Sequence, residues 1–245
     1  MARFIRFAFG VFAYLFFFAS FLYLIGFVTN LYVPRSIDVG PDGSATLAVI
    51  VDLGLIALFG VQHSVMARPG FKSALTRIWP AAVERSLYVA MTAVVLCLMF
   101  WLWRPLPALV WSIETESMRT LVWMLAGAGW GIVLISTFLI SHFELFGLKQ
   151  IWADFRDRAL PVTTFRQPFF YKLVRHPIYT GFLTSFWAAP DMSQGHALFA
   201  TGMTLYILIG IRYEERDLKE NLGDVYFEYT RRVGMVIPGV GKSRD

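Results

Sequence analysis

Cysteine is nearly absent. Cys97 is the one thiol in 245 residues and lies inside an apolar run, so neither a disulfide framework nor a cysteine-based metal centre can be built within one chain. Charge is scarce as well: Asp, Glu, Lys and Arg make up 16% of the residues, against about 25% in soluble domains. No internal repeat or low-complexity tract interrupts the chain. What it holds instead is apolar, with 57% hydrophobic residues and a mean hydropathy of +0.57. Hydrocarbon cannot hydrogen-bond a backbone, so only helices or closed barrels cross it. Apolar runs near 20 residues point to helices.

Arg3 and Arg6 precede the first apolar run, as in a signal peptide, but that run continues unbroken over residues 7–31 without a small-residue cleavage site. It is read as a retained span. Residues 7–31, 47–67, 86–103 and 121–140 are each long enough, at about 1.5 Å per residue, to cross roughly 30 Å of hydrocarbon. Two shorter runs, 178–189 and 197–211, flank the turn-rich string Pro190-Asp191-Met192-Ser193-Gln194-Gly195 and read as a helical hairpin. The expected fold is all-α: a polytopic transmembrane helical bundle of four full spans plus a C-terminal hairpin, six segments with a cytoplasmic helical cap, forming a single domain over 1–245.

The basic balance, +5 with a pI near 9.4, suggests nucleic acid until the charges are placed. With the N-terminus inside, the cytoplasmic segments carry 19 Lys and Arg, from Arg3 to Arg244, and the outer loops carry three, Arg35, Arg104 and Arg119. That asymmetry is the positive-inside pattern, and it accounts for every basic residue without a nucleic-acid partner. The expected location is the cytoplasmic membrane, with lipid as neighbour and both termini in the cytoplasm.

Polar chemistry gathers at the same side. His63 lies near the end of the second span, His142 just after the fourth and His176 at the start of the hairpin; His196 falls outside. Gln62, Arg68, Glu84, Arg85, Glu144, Gln150, Arg175, Glu214 and Glu215 accompany them. Ionisable groups at this depth are costly unless paired or wet, so their convergence is the expected site; snorkelling to the headgroups is the plainer alternative. Asp52, eleven residues before His63, is about 16 Å from it by helical rise and is given a packing or interfacial role. Gly127, Gly129 and Gly131 follow no strand, which rejects a nucleotide-binding loop and favours close helix approach.

Leu173-Val174-Arg175-His176-Pro177-Ile178-Tyr179-Thr180-Gly181-Phe182, followed by Glu214-Glu215-x-x-Leu218 and Gly223-x-x-Tyr226-x-x-Tyr229, resembles the isoprenylcysteine carboxyl methyltransferase and phospholipid methyltransferase superfamily. Gln62-His63-Ser64-Val65-Met66-Ala67-Arg68, Glu84-Arg85-Ser86-x-Tyr88 and His142-Phe143-Glu144-Leu145-Phe146-Gly147-Leu148-Lys149-Gln150 narrow the resemblance to the bacterial methanethiol S-methyltransferases, related to NnrU-like membrane proteins. The resemblance implies S-adenosylmethionine as cofactor, with S-adenosylhomocysteine as product, and a small volatile thiol as substrate: methanethiol to dimethyl sulfide, hydrogen sulfide to methanethiol. It implies a cofactor region over about 142–236, with Gln150, Tyr171, His176 and Tyr179 against the cofactor, Glu214, beside Glu215, on its ammonium or ribose, and Arg175 on its carboxylate. No metal is expected. Protein-methylating relatives carry an Arg shortly before the Glu-Glu pair; here Gly210 stands four before Glu214 and Arg212 is displaced, which speaks against a prenylated peptide.

A sulfonium is already an activated methyl donor, so the enzyme has to align the attack and deprotonate the thiol, because the thiolate is the nucleophile. His63 is the expected base, oriented by Glu84 or Arg85, with His142 the second candidate. Two other readings are carried: the same chemistry on a lipid amine or prenylcysteine carboxylate, and a non-catalytic haem protein using His63, His142 or His176 as axial ligands.

Overall fold

The computed structural model describes residues 1–160 and 165–243; Arg244, counted above in the basic tail, and residues 161–164 of the expected loop and cofactor region lie outside the described residues. In chain order the elements are α1 (Ala2–Thr29), α2 (Ala45–Ala67), α3 (Pro69–Thr76), α4 (Ala81–Leu102), β1 (Leu109–Ser112), α5 (Glu116–Ile140), α6 (His142–Leu145), α7 (Leu148–Phe155), a 3-10 turn (Phe169–Lys172), α8 (Pro177–Trp187), β2 (Asp191–Ser193), α9 (Gln194–Leu222) and α10 (Asp224–Arg232). Among the described residues, α1, α2, α4, α5 and α9 are long and apolar enough to cross a membrane. The chain is an all-α, multi-pass membrane protein. Its internal packing divides it into two compact units, the first Met1–Pro107 with Ser141–Thr164 and the second Ala108–Ile140 with Phe165–Asp245.

In the first unit α4 packs on both α1 and α2, and α7 lies along α1. Helix α1 begins at Ala2, ahead of its apolar run, because its basic residues have partners: Arg6 pairs bidentately with Asp154 at 2.7 and 3.0 Å, and Arg3 meets Asp157 at 2.6 Å. Gly10 makes room for this docking, since a Cβ there would sit 2.0 Å from Ile151 Cδ1. At the other end of α1, Phe27, Phe100 and Trp103 form a buried aromatic cluster with centroids 5.2 and 5.8 Å apart. Asp52 has the packing role expected of it: fully buried in α2, it accepts the Arg104 backbone N–H at 3.0 Å just beyond α4.

In the second unit the two hairpin arms are unequal. Helix α8 has 11 residues, starting with Pro177 in its first turn and ending before Pro190, so it is only about 16 Å long. Helix α9 has 29 residues and runs through the charged string after Ile211 until Gly223, at φ +53°, ends it; Glu, Arg and Lys propagate helix well, so the apolar boundary does not stop it. The string expected as a simple hinge is partly strand. Residues of β2 pair antiparallel with β1, Leu109 opposite Ser193 and Ser112 opposite Asp191, and Ser193 then caps α9 by accepting the His196 N–H at 3.0 Å. His196 is buried and its Nε2 meets the Phe186 carbonyl at 2.8 Å, a structural role. Asp191 accepts two hydrogen bonds from Arg119, at 2.9 and 2.6 Å, and one from Ser112 at 2.6 Å. These donors hold its carboxyl down at about 2.

Helices α5 and α8 pack closely, and Gly129 meets Gly181 where they cross. A Cβ on Gly129 would lie 2.8 Å from the Gly181 carbonyl oxygen and 2.9 Å from Ser185 N, and one on Gly181 would lie 2.6 Å from the Gly129 carbonyl oxygen. Ser185 Oγ donates across the same crossing to the Ala126 carbonyl at 3.1 Å. Gly127 and Gly131 have open space beside them, so one glycine of the three is the contact, as small-residue helix packing requires.

Two outcomes follow from this packing. Gly129→Ala and Gly181→Ala are expected to lower the thermal unfolding midpoint in detergent, each costing about 1–3 kcal/mol by overpacking, whereas Gly127→Ala and Gly131→Ala leave it unchanged or raised. The Asp191 carboxyl titrates in the folded chain at about 2, below the roughly 3.9 of an unfolded chain, so its stabilisation is present at neutral pH and is lost as the pH falls through that window. Asp191→Asn is expected to flatten the loss of thermal stability between about pH 4 and pH 2.

Candidate active site

In the second unit the Arg175-His176-Pro177 string works through its backbone first. Pro177 needs no N–H donor in the first turn of α8 and presets its φ, which leaves His176 as the N-cap. The Arg175 and His176 N–H groups donate to the Gly234 and Met235 carbonyls at 2.8 and 3.1 Å, and Thr180 Oγ1 donates to the Val236 carbonyl at 2.7 Å. The C-terminal segment is thereby tied across the start of α8.

Arg175 is buried, and its guanidinium donates to Glu215 Oε1 at 2.7 Å and to the carbonyls of Thr230, Val233 and Gly241 at 3.2, 2.5 and 3.0 Å. This differs from the part expected of it, a donor to a cofactor carboxylate: its donors are directed to the chain's own tail. Glu215 also faces His176 Nε2 at 3.1 Å. Glu214, one residue earlier and so about 100° round α9, is half-exposed, accepts from Tyr179 Oη at 3.0 Å and lies 3.7 Å from His176 Nδ1. The imidazole thus stands between two carboxylates, stacked on Tyr179 at 5.5 Å. Neighbouring glutamates have separate jobs: Glu215 neutralises a buried cation, and Glu214 presents its charge outward.

Three tyrosines close this side. Tyr229 Oη donates to the Tyr171 carbonyl at 2.5 Å, while the hydroxyls of Tyr171 and Tyr226 are buried without a hydrogen-bond partner among the described residues. Burial pushes both of these phenols up, reinforced by Glu214 beside Tyr171 and by Glu215 and Glu214 beside Tyr226; burial raises Tyr229 to about 12. All three are neutral donors at neutral pH.

In the first unit His63 projects from α2 onto α4. Thr92 Oγ1 gives its one proton to the Tyr88 carbonyl at 3.0 Å, so it accepts from His63 Nδ1–H at 3.3 Å. That leaves Nε2 as the unprotonated nitrogen, and Tyr88 Oη donates to it at 2.5 Å. Phe59 stacks on the ring at 5.3 Å, and the Arg85 guanidinium lies 5.5 Å from the Tyr88 ring centroid. The orientation expected from Glu84 or Arg85 therefore comes from Tyr88 and Thr92, one and two turns further along the same face of α4.

His142 is buried, with Nε2 at 2.9 Å from Tyr14 Oη and its ring edge-on to Phe146 at 4.8 Å; burial lowers its pKa. Gly147, at φ +88°, turns the chain against α4 so closely that a Cβ would lie 3.0 Å from Ser86 N. This seats the 142–150 string beside Arg85 and Ser86. Gln150 follows on α7, donating to the Glu144 carbonyl at 3.0 Å with its own side-chain oxygen buried and unpartnered among the described residues, and Glu144 pairs with Lys149 at 2.6 Å.

The second unit therefore brings together Tyr171, Arg175, His176, Tyr179, Glu214 and Glu215, and the first holds His63, Glu84, Arg85, His142 and Gln150. Tyr14 and Thr92 were not singled out from the sequence, and Tyr88 and Tyr226 stood there as members of the resemblance strings without a role. The 84/88/92 spacing on one helix face was the available signal for two of them. Among the described residues no group of three or more His, Cys, Asp or Glu is arranged to hold a metal ion. The Nε2 atoms of His63, His142 and His176, the axial ligands of the haem reading, each already face a protein oxygen.

No protein-family model and no solved structure matches the chain. Curated relatives do. The chain is 49% identical to methanethiol S-methyltransferase 1 of Bradyrhizobium diazoefficiens over 96% of its own length and 83% of the relative's. It is 45% identical to the methanethiol S-methyltransferase of Mycobacterium tuberculosis over 97% and 98% of the two chains. It is also 31% identical to nurim of Bos taurus over 73% and 71%. Identity at this level over nearly the whole length shows that the chain belongs to the methanethiol S-methyltransferases, a family of transferase enzymes.

Proposed function

We propose that this chain transfers a methyl group from S-adenosylmethionine to a small thiol, turning methanethiol into dimethyl sulfide and hydrogen sulfide into methanethiol. It acts as a single methyltransferase domain of the cytoplasmic membrane, with both termini in the cytoplasm, a reading supported by the asymmetry of the basic residues. The observation that carries the reading is the division of labour at Glu214 and Glu215, which leaves one carboxylate half-exposed beside His176 and Tyr179.

The residues fit the cofactor. Among the described residues the Tyr171 and Tyr226 hydroxyls are buried without partners and lie within electrostatic reach of Glu214, and a ligand bearing an ammonium and ribose hydroxyls would satisfy all three. Glu214 would take the ammonium or the ribose, Tyr171 and Tyr179 would add hydrogen bonds and ring surface, and His176 and Gln150 would complete the contact. Arg175 supports them by holding Glu215 and the tail. When bound, S-adenosylmethionine supplies a methyl group already activated by its sulfonium. The chain's own task is to keep the site dry and to turn the thiol into a thiolate. His63, whose Nε2 is held unprotonated by the Thr92 contact, is the acceptor for that proton, with His142 second.

Membranes carrying the protein are expected to convert methanethiol and S-adenosylmethionine into dimethyl sulfide, read by headspace gas chromatography. Absence of that product alongside methylation of a lipid amine or prenylcysteine overturns the small-thiol reading. The two glutamates should separate in a second experiment. Glu214→Gln is expected to raise KM for S-adenosylmethionine about tenfold, the loss of one charge-assisted hydrogen bond, with the unfolding midpoint unmoved. Glu215→Gln is expected to cost about 3 kcal/mol of stability, at the low end for breaking a buried pair because three carbonyls still face the guanidinium.

A further inference from the structure

The nitrogen that should take the thiol's proton is not presented bare. His63 Nδ1 is committed to Thr92 Oγ1 at 3.3 Å, and Nε2 is met by Tyr88 Oη at 2.5 Å. Thr92 cannot exchange roles, because its proton is used on the Tyr88 carbonyl one turn back. A thiol seeking Nε2 therefore encounters a phenol already hydrogen-bonded to it. Such a phenol donates its one proton to nitrogen while its oxygen keeps lone pairs that accept from an S–H. Phe59 stacked on the imidazole fixes the ring plane, so the Tyr88–His63 contact is a set geometry.

We propose that Tyr88 is a catalytic residue, the relay through which the thiol loses its proton to His63; this rests on the reading of His63 as the base. The S–H bond breaks with its electron pair left on sulfur, and the proton forms a bond to Tyr88 Oη. In the same step the Tyr88 O–H bond breaks and that proton bonds to His63 Nε2. Tyr88 ends as the neutral phenol it began as, His63 becomes an imidazolium with both nitrogens protonated, and the acceptor becomes a thiolate. Charge is conserved, no oxidant or further reactant is needed, and the imidazolium returns its proton to solvent between turnovers. The Arg85 guanidinium, 5.5 Å from the Tyr88 ring, favours negative charge on the oxygen as the proton passes and disfavours its retention on His63. Thr92 has a positioning role, since it selects the tautomer that makes Nε2 the acceptor.

The relay is tested with Tyr88→Phe, which keeps the ring and removes the hydroxyl. With methanethiol, kcat is expected to fall about 100-fold or more, the range for losing a proton-transfer group, with KM for S-adenosylmethionine unchanged. Methaneselenol, nearly the same size but already ionised at neutral pH, needs no base, and its turnover by the variant is expected to stay within about threefold of wild type, well short of a lost proton-transfer step. That acceptor also reports whether the variant folds. Equal losses on both acceptors mean Tyr88 only shapes the site, and full methanethiol turnover by Tyr88→Phe removes the relay while leaving His63 as base; either result overturns the proposal. In the His63→Ala background, adding Tyr88→Phe is expected to cause no further loss, and an additional tenfold drop there also overturns it. If His63→Ala alone keeps full methanethiol turnover, the base assignment fails first and the relay with it.

Discussion

The Arg175 guanidinium is the group on which the second unit's chemistry depends. A buried cation is tolerable only if it is paired and its donors satisfied, and the chain meets both conditions by folding its own C-terminus round it, with Glu215 supplying the charge and three carbonyls the remaining acceptors. Everything near the proposed cofactor site inherits its position from that arrangement. The end of α10 is fixed because two of those carbonyls, Thr230 and Val233, lie at and just past it. Residues 234–236 are fixed because they accept from the backbone of Arg175 and His176 and from Thr180. His176 is held between two carboxylates because Glu215 is.

The spans were legible because the signal that encodes them is the physics that forms them. Hydrocarbon admits no unpaired backbone, and runs such as 7–31 and 47–67 announce helices without help from tertiary structure. Helix ends were less legible, since they depend on partners far along the chain: Arg6 extends α1 through Asp154, 148 residues away. The β1–β2 ribbon was invisible for a similar reason, because four exposed residues after Pro107 carry no strand pattern until Asp191–Ser193 is laid beside them. Gly129 could be suspected in its small-residue string, but nothing in that string distinguishes it from Gly127 and Gly131; only the position of Gly181 does.

Local strings likewise revealed the candidate site's members better than their roles. Arg175, His176 and the glutamate pair stand out by type and spacing. That Arg175 turns inward to the tail while Glu214 turns outward is decided by contacts with residues 230–241. His63 was conspicuous as a histidine in an apolar helix, yet its tautomer is set by Thr92, a residue type that membrane helices carry routinely.

The unpartnered hydroxyls of Tyr171 and Tyr226 bear on how the protein would respond to engineering. Phenylalanine would fill nearly the same volume at either position without burying an unsatisfied donor, a burden of about 1–3 kcal/mol. Each of these hydroxyls therefore costs the folded chain stability that phenylalanine would return. A search for thermostable variants that scores only stability would select Tyr226→Phe early, and would discard in the same step a hydroxyl proposed to contact the methyl donor.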